Sequence, residues 1–272
     1  MKLAIFWDHI RQAARQQDMP LPEMLRHVRA LGYSLVELDL ADLQADPSIA
    51  EQLRAADMGV SSIYNFFDFG RDGDGSPARA LVDAAVQLGA QRIMLIPGFY
   101  TQPHPAIQQR ERANMIRATI QACDMAAERG LTVTIEDYDA EDSPIRDSEG
   151  MLWFLDRAPG LRATYDTGNF RFCGEEALAA FDALSVHIAH VHLKDRALTT
   201  AAGEKAKVAM DGTPLYPGAV GSGIVPFEAI FDRLKRIGYD GVLTVEHFDS
   251  ADQLANMTAS AAFVKAHFAI EE

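Results

Sequence analysis

Four segments in the second half of the chain end on a group able to bind a cation: LTVTIE at Glu136, LRATYD at Asp166, HIAHVH at His192 and GVLTVE at Glu246. Side chains alternate faces along a strand, so Thr132, Thr134 and Glu136 share one side and Leu131, Val133 and Ile135 the other. The same alternation sets Thr164 and Asp166 against Ala163 and Tyr165, and Thr244 and Glu246 against Leu243 and Val245. In HVHLKD, residues 190–195, His190, His192 and Lys194 oppose Val191 and Leu193. Three carboxylates drawn together would repel one another and take up protons unless a cation joins them. Three oxygen donors and one imidazole point to Mn²⁺, Mg²⁺ or Co²⁺, with Zn²⁺ admitted although its sites carry more nitrogen and sulfur. One acid at a strand end is ordinarily a helix cap or a solvated loop residue. Four in register on successive strands are not explained that way.

Two residues below each of these groups lies Thr134, Thr164, His190 or Thr244, a layer suited to orienting metal ligands through hydrogen bonds. His190 itself reads as a buried, hydrogen-bonded core histidine. Lys194, placed just past its strand, is either a rim contact to substrate or a solvated loop charge.

The elements that must position these groups recur along the chain. A helical segment ends in Gly and a β-prone run follows, as in RALGYSLVEL, AADMGVSSIY, QLGAQRIMLI, ERGLTVTIE and RIGYDGVLTVE. Gly32, Gly59, Gly89, Gly130 and Gly238 are expected at helix C-caps with positive φ. Strands are expected near 2–7, 34–38, 60–64, 92–96, 131–136, 161–166, 187–193 and 242–246. Amphipathic helices such as PEMLRHVRALG, SPARALVDAAVQLG, the run 107–129 and PFEAIFDRLKRIG lie between them. Eight such βα units predict an α/β chain folded as a single (β/α)₈ barrel over residues 1–272. No Gly-rich fingerprint follows the first strand, which disfavours an open doubly wound dinucleotide fold. In a parallel barrel the outer face packs on helices and must be apolar, so the ligand-bearing face is the interior. Long connections at 137–147 and 195–223 fall at the C-terminal mouth, where barrel chemistry sits.

The net charge of −14 weighs against non-specific nucleic-acid binding. The apolar runs are too short to span a bilayer, and MKLAIFWDHI lacks a signal-peptide layout. Two cysteines, Cys123 and Cys173, suit a reducing compartment. A cytoplasmic protein without membrane or nucleic-acid partners is expected.

The sequence resembles the xylose isomerase-like TIM barrels, also described as sugar phosphate isomerases/epimerases. The likeness covers nearly the whole chain and is carried by TIED at 134–137, YDTGNF at 165–170, HVHLKD at 190–195 and GSGIVPFEAIFDRLKRIGYDGVLTVEHF at 221–248. It implies one divalent metal, Mn²⁺ first, held by Glu136, Asp166, His192 and Glu246. It also implies that Glu136 and Glu246 are the acid/base pair on opposite faces of the substrate carbon. Asn169, three residues after Asp166, is implied as a substrate contact. Lys194 and Arg196 are candidate contacts to a substrate anion, and His9, Tyr64 and Asn65, with Asp8, are expected at the remaining rim. The implied reaction runs through a metal-stabilised cis-enediolate of a sugar, polyol or keto acid. Reprotonation on the opposite face gives an epimer, on the next carbon an aldose–ketose isomer; loss of a β-hydroxyl makes the enzyme a dehydratase of the inosose or dehydroshikimate type. Other readings are a histidine-rich three-metal AP endonuclease, disfavoured by Asn169 and the acidic charge, and a barrel that binds sugar without turnover. Such relatives pair through their loops, which implies a homodimer or homotetramer acting on a small molecule.

Overall fold

A computed structural model describes residues 1–200 and 203–271. Eight parallel strands alternate with helices: β1 (Lys2–Phe6), β2 (Tyr33–Asp39), β3 (Gly59–Phe66), β4 (Arg92–Ile96), β5 (Thr132–Glu136), β6 (Leu161–Asp166), β7 (Ile188–Ala197) and, last in the chain, β10 (Val242–Glu246). Each pairs with its sequence neighbour, and β10 pairs with both β1 and β7, so the barrel closes and no edge remains within it. The expected (β/α)₈ architecture is what forms.

The alternation places the apolar side chains on the outside of the barrel. Val133, Ile135, Val191, Leu193, Leu243 and Val245 are buried in one hydrophobic cluster that also contains helix residues such as Met151, Phe181 and Phe231. Burial of each such side chain stabilises the fold by about 1.5–3 kcal/mol. Among the helices, the run expected at 107–129 forms α6 (Pro105–Ala127), with Pro105 at its first position, where its missing N–H costs nothing. Helix α9 (Phe227–Arg236) buries Phe227, Ile230, Phe231 and Leu234 and leaves its charges outward.

Three expectations are corrected. Gly59 is not a helix cap but the first residue of β3; the left-handed position before it is taken by Asp57, at φ 54°. Strand β7 does not stop at 193 but runs to Ala197. The connection expected as an open loop after it folds into β8 (Lys207–Val208) and β9 (Pro214–Gly218), with β9 antiparallel to the extension of β7. Backbone pairing by β9 stabilises that extension beyond the barrel rim.

Candidate metal centre

The register of the closing strands brings the four candidate ligands together. Asp166 of β6 lies level with His192 of β7, Glu136 of β5 lies level with Thr164, and Glu246 of β10 lies level with Lys194. One donor atom from each of Glu136, Asp166, His192 and Glu246 lies within 4.8 Å of the others, and all four residues are buried. His192 Nδ1 stands 3.4 Å from Glu246 Oε2 and closer still to Glu136 Oε1. Nevertheless His192 Nδ1, Glu136 Oε1 and Asp166 Oδ2 are buried without a hydrogen-bond partner. Buried polar atoms left so are rare and need an explanation. Lone pairs from three strands aimed at one point fit a divalent cation, so this cluster can hold one.

The other oxygen of Asp166 is fixed. Asp166 Oδ1 accepts from the backbone N–H groups of Gly168 and Asn169, each at 2.7 Å, which leaves only Oδ2 for the centre. Below the cluster, Glu37 of β2 is fully buried, and its Oε2 accepts from His190 Nε2 at 3.0 Å, His192 Nε2 at 3.2 Å and Thr244 Oγ1 at 3.1 Å. The layer expected beneath the ligands exists, and His190 is the buried, hydrogen-bonded core histidine anticipated. Thr164 and Thr134, however, bond to each other at 2.8 Å and not to a ligand.

Charge is divided unevenly. Burial opposes ionisation of Glu246, but Lys194 and His192 hold its carboxyl well below the usual range. Burial raises Glu136 above its ordinary value in spite of His192, and it pushes Asp166 up to about 8 against the pull of Lys194. Asp137, fully buried, is also raised, by burial first and then by Asp166 and Glu136.

A cavity of about 340 Å³ opens over the cluster, with Glu136 and Glu246 on its floor. It is lined by apolar residues, Phe6, Tyr64, Phe66, Met94 and Ile96 among them, and by the charged Asp139, Lys194, Arg196, Lys205 and Lys207. Asn169 also lines it: its Nδ2 donates to Asp137 O at 2.9 Å and its Oδ1 accepts from Arg196 at 3.2 Å. Arg196 also pairs with Asp139 at 2.7 Å. Lys194, Arg196, Asn169 and Tyr64 are thus brought to the cavity, and Lys194 is a buried strand residue rather than a loop charge. His9 and Asn65 are not in its walls. Helix α1 (Trp7–Gln16) begins directly after β1, so His9 is turned inward in its first turn, stacked 4.8 Å from His247, and accepts from His247 N–H at 3.0 Å. Asn65 donates to the carbonyl of Phe66, and Asp8 pairs with Arg11. Sequence reasoning missed Glu37 and Asp139. The signal for Glu37 is an acid set between Val36 and Leu38 in the middle of a strand, which in a barrel must find buried partners.

Over 274 residues the chain is 26% identical to an L-ribulose-5-phosphate 3-epimerase of Salmonella paratyphi A, covering 91% of this chain and 89% of that protein. Over 147 residues it is 25% identical to an inosose dehydratase of Geobacillus thermodenitrificans, a match spanning 52% of this chain and only 49% of the dehydratase. Among solved structures, a D-allulose 3-epimerase from Methylomonas sp. in complex with D-allulose superposes with TM-score 0.75 at 18% identity, covering 98% of this chain and 97% of that one. A Mycobacterium smegmatis barrel in complex with magnesium superposes with TM-score 0.70 at 19% identity, covering 98% and 96%. The relatives are enzymes, epimerases and dehydratases, while the two structural likenesses speak for the fold alone. The model of the xylose isomerase-like TIM barrel matches residues 25–267, and the chain belongs to that family.

Proposed function

We propose that the protein is a divalent-metal-dependent isomerase or epimerase of a small sugar, polyol or keto acid, in which Glu136 and Glu246 exchange a proton with substrate carbon. The observation that carries this reading is the convergence of both glutamates, from strands separated by β6 and β7, on one buried cluster beneath one cavity. The cation, Mn²⁺ in the first instance and Mg²⁺, Co²⁺ or Zn²⁺ otherwise, supplies Lewis-acid stabilisation of charge developing on substrate oxygens. Glu246, held ionised by Lys194, is in the form that accepts a proton, and Glu136, whose carboxyl is raised by burial, is the better placed to carry one. Asn169 and Arg196 orient substrate hydroxyl or carboxylate groups, and the wall of Phe6, Tyr64 and Phe66 keeps water from the reacting carbon.

The match to an inosose dehydratase favours one second reading, loss of a β-hydroxyl after the same proton abstraction. A histidine-rich three-metal nuclease site is the poorer fit, because His192 alone contributes imidazole to the four-residue cluster. The reading includes a small-molecule substrate and a homodimeric or homotetrameric assembly.

The test is a panel of ketoses, aldoses, inososes and hydroxypyruvate offered to Mn²⁺-loaded protein in deuterated water, with product analysis. Deuterium at a substrate carbon with an epimer or isomer as product supports the proposal. A dehydrated product selects the second reading, and no exchange with any member contradicts both. Lys194→Ala and Arg196→Ala should raise KM for an acidic substrate; unchanged kinetics would remove the anion-contact role.

A further inference from the structure

Glu37 is a carboxylate sealed in the barrel with no lysine or arginine within ion-pair reach among the described residues; its partners are two imidazoles and a hydroxyl. All three meet the same oxygen, Oε2. An ionised carboxylate only accepts, so each of these partners must donate. His190 meets Oε2 through Nε2, at 3.0 Å, and so donates there. The bond from Thr244 Oγ1 is compatible, since the Nε2–H of His190 is also within 3.2 Å of that hydroxyl oxygen.

The consequence falls on His192. With Nε2–H committed to Glu37 at 3.2 Å, the lone pair of the neutral ring resides on Nδ1, the atom that faces Glu136 and Glu246. We infer that Glu37 is the positioning residue of the metal centre: its Oε2 fixes the Nε2–H tautomer of His192 and so presents Nδ1 to the cation. This rests on the metal-dependent reading above. A carboxylate behind a ligating imidazole also raises the basicity of the ligand, and loss of such a group lowers metal affinity ten- to a hundred-fold.

Glu37→Gln changes the shape little: its amide oxygen can still accept from all three donors with the NH₂ in the place of Oε1, which has no partner, so what the variant removes is the carboxylate charge behind His192. Thr244→Val disturbs the same buried cluster and keeps that charge. Zn²⁺ affinity is measured by chelator competition for the wild type and both variants, alongside circular dichroism to establish folding. Long-range ¹H–¹⁵N spectra of Zn²⁺-loaded wild type, labelled at histidine, identify the ligating nitrogen without any substitution. The expected result is ligation through Nδ1 with Nε2–H intact, at least a ten-fold loss of Zn²⁺ affinity in folded Glu37→Gln, and less than a three-fold change in Thr244→Val. Ligation through Nε2, or a folded Glu37→Gln within three-fold of wild type, overturns the inference and leaves the metal centre standing. Wild-type protein that takes up no divalent ion overturns the inference together with the reading beneath it.

Discussion

Lys194 Nζ donates to Glu246 Oε1 at 2.5 Å, with both side chains more than nine-tenths buried. The two residues are direct cross-strand neighbours on β7 and β10. This pairing distinguishes Glu246 from Glu136, which among the described residues has no lysine or arginine partner and contacts His192 instead.

Lys194→Met leaves Glu246 as a buried charge without its partner, at a cost of about 3–5 kcal/mol. For a chain of this size that is a Tm lower by roughly 5–9 °C in the metal-free protein. Mn²⁺ neutralises part of the exposed deficit, so the drop should shrink when the metal is present. Calorimetry with and without Mn²⁺ checks this, and equal drops in both would contradict the placement of the cation beside Glu246.

Asp195 organises the hairpin that forms the cationic wall. Its carboxylate accepts from the N–H groups of Arg196, Gly221, Gly223 and Val225 at 2.8, 2.9, 2.8 and 3.2 Å. Asp195→Ala should cost about 2–3 kcal/mol and raise deuterium uptake over residues 207–218. Gly223→Ala should have the same effect by another route, because a Cβ there would stand 2.2 Å from the carbonyl oxygen of Arg196. Unchanged uptake in both variants would contradict this role.

The ligands were legible in the sequence because a strand's period of two is rigid. Once Val133 and Ile135 face the helices, Thr134 and Glu136 must face the interior, and the same holds for Asp166, His192 and Glu246. Glu37 was not legible as a partner, since its contacts come from β7 and β10, far along the chain, and only barrel closure brings them beside β2. The hairpin was missed for a related reason: β8 has two residues and no apolar alternation, and it exists because β9 pairs with the end of β7. His9 was misplaced because nothing in FWDHI marks a helix that starts without a connecting loop.

Neither cysteine is built for chemistry. Burial pushes the Cys123 thiol up to about 12, and burial also raises the half-buried Cys173. Very little of Cys123 is therefore thiolate, the nucleophilic form, near neutral pH. A disulfide reagent should label Cys173 first and Cys123 hardly at all in native protein, with both labelled fast in denaturant. Rapid native labelling of Cys123 would contradict its burial.

His267 ties helix α10 (Gln253–His267) to α9, with Nδ1 2.7 Å from Phe263 O and Nε2 2.9 Å from Glu228 Oε1. Phe263 O, and then Glu228, raise its pKa above the ordinary 6.5 against a small effect of burial. A raised folded pKa makes this contribution to stability complete below about pH 6.5 and lost as pH rises through the folded value. Ring titration by NMR should place the midpoint above 6.5, and Glu228→Gln should lower it. A wild-type midpoint at or below 6.5 would contradict the bridge.

The most direct measurement is anomalous diffraction from a crystal soaked in Mn²⁺. One strong peak is predicted among Glu136, Asp166 Oδ2, His192 Nδ1 and Glu246, in contact with all four. A map without density there, or one with Glu136 and His192 turned away from each other, would contradict a metal centre shared by the closing strands of the barrel.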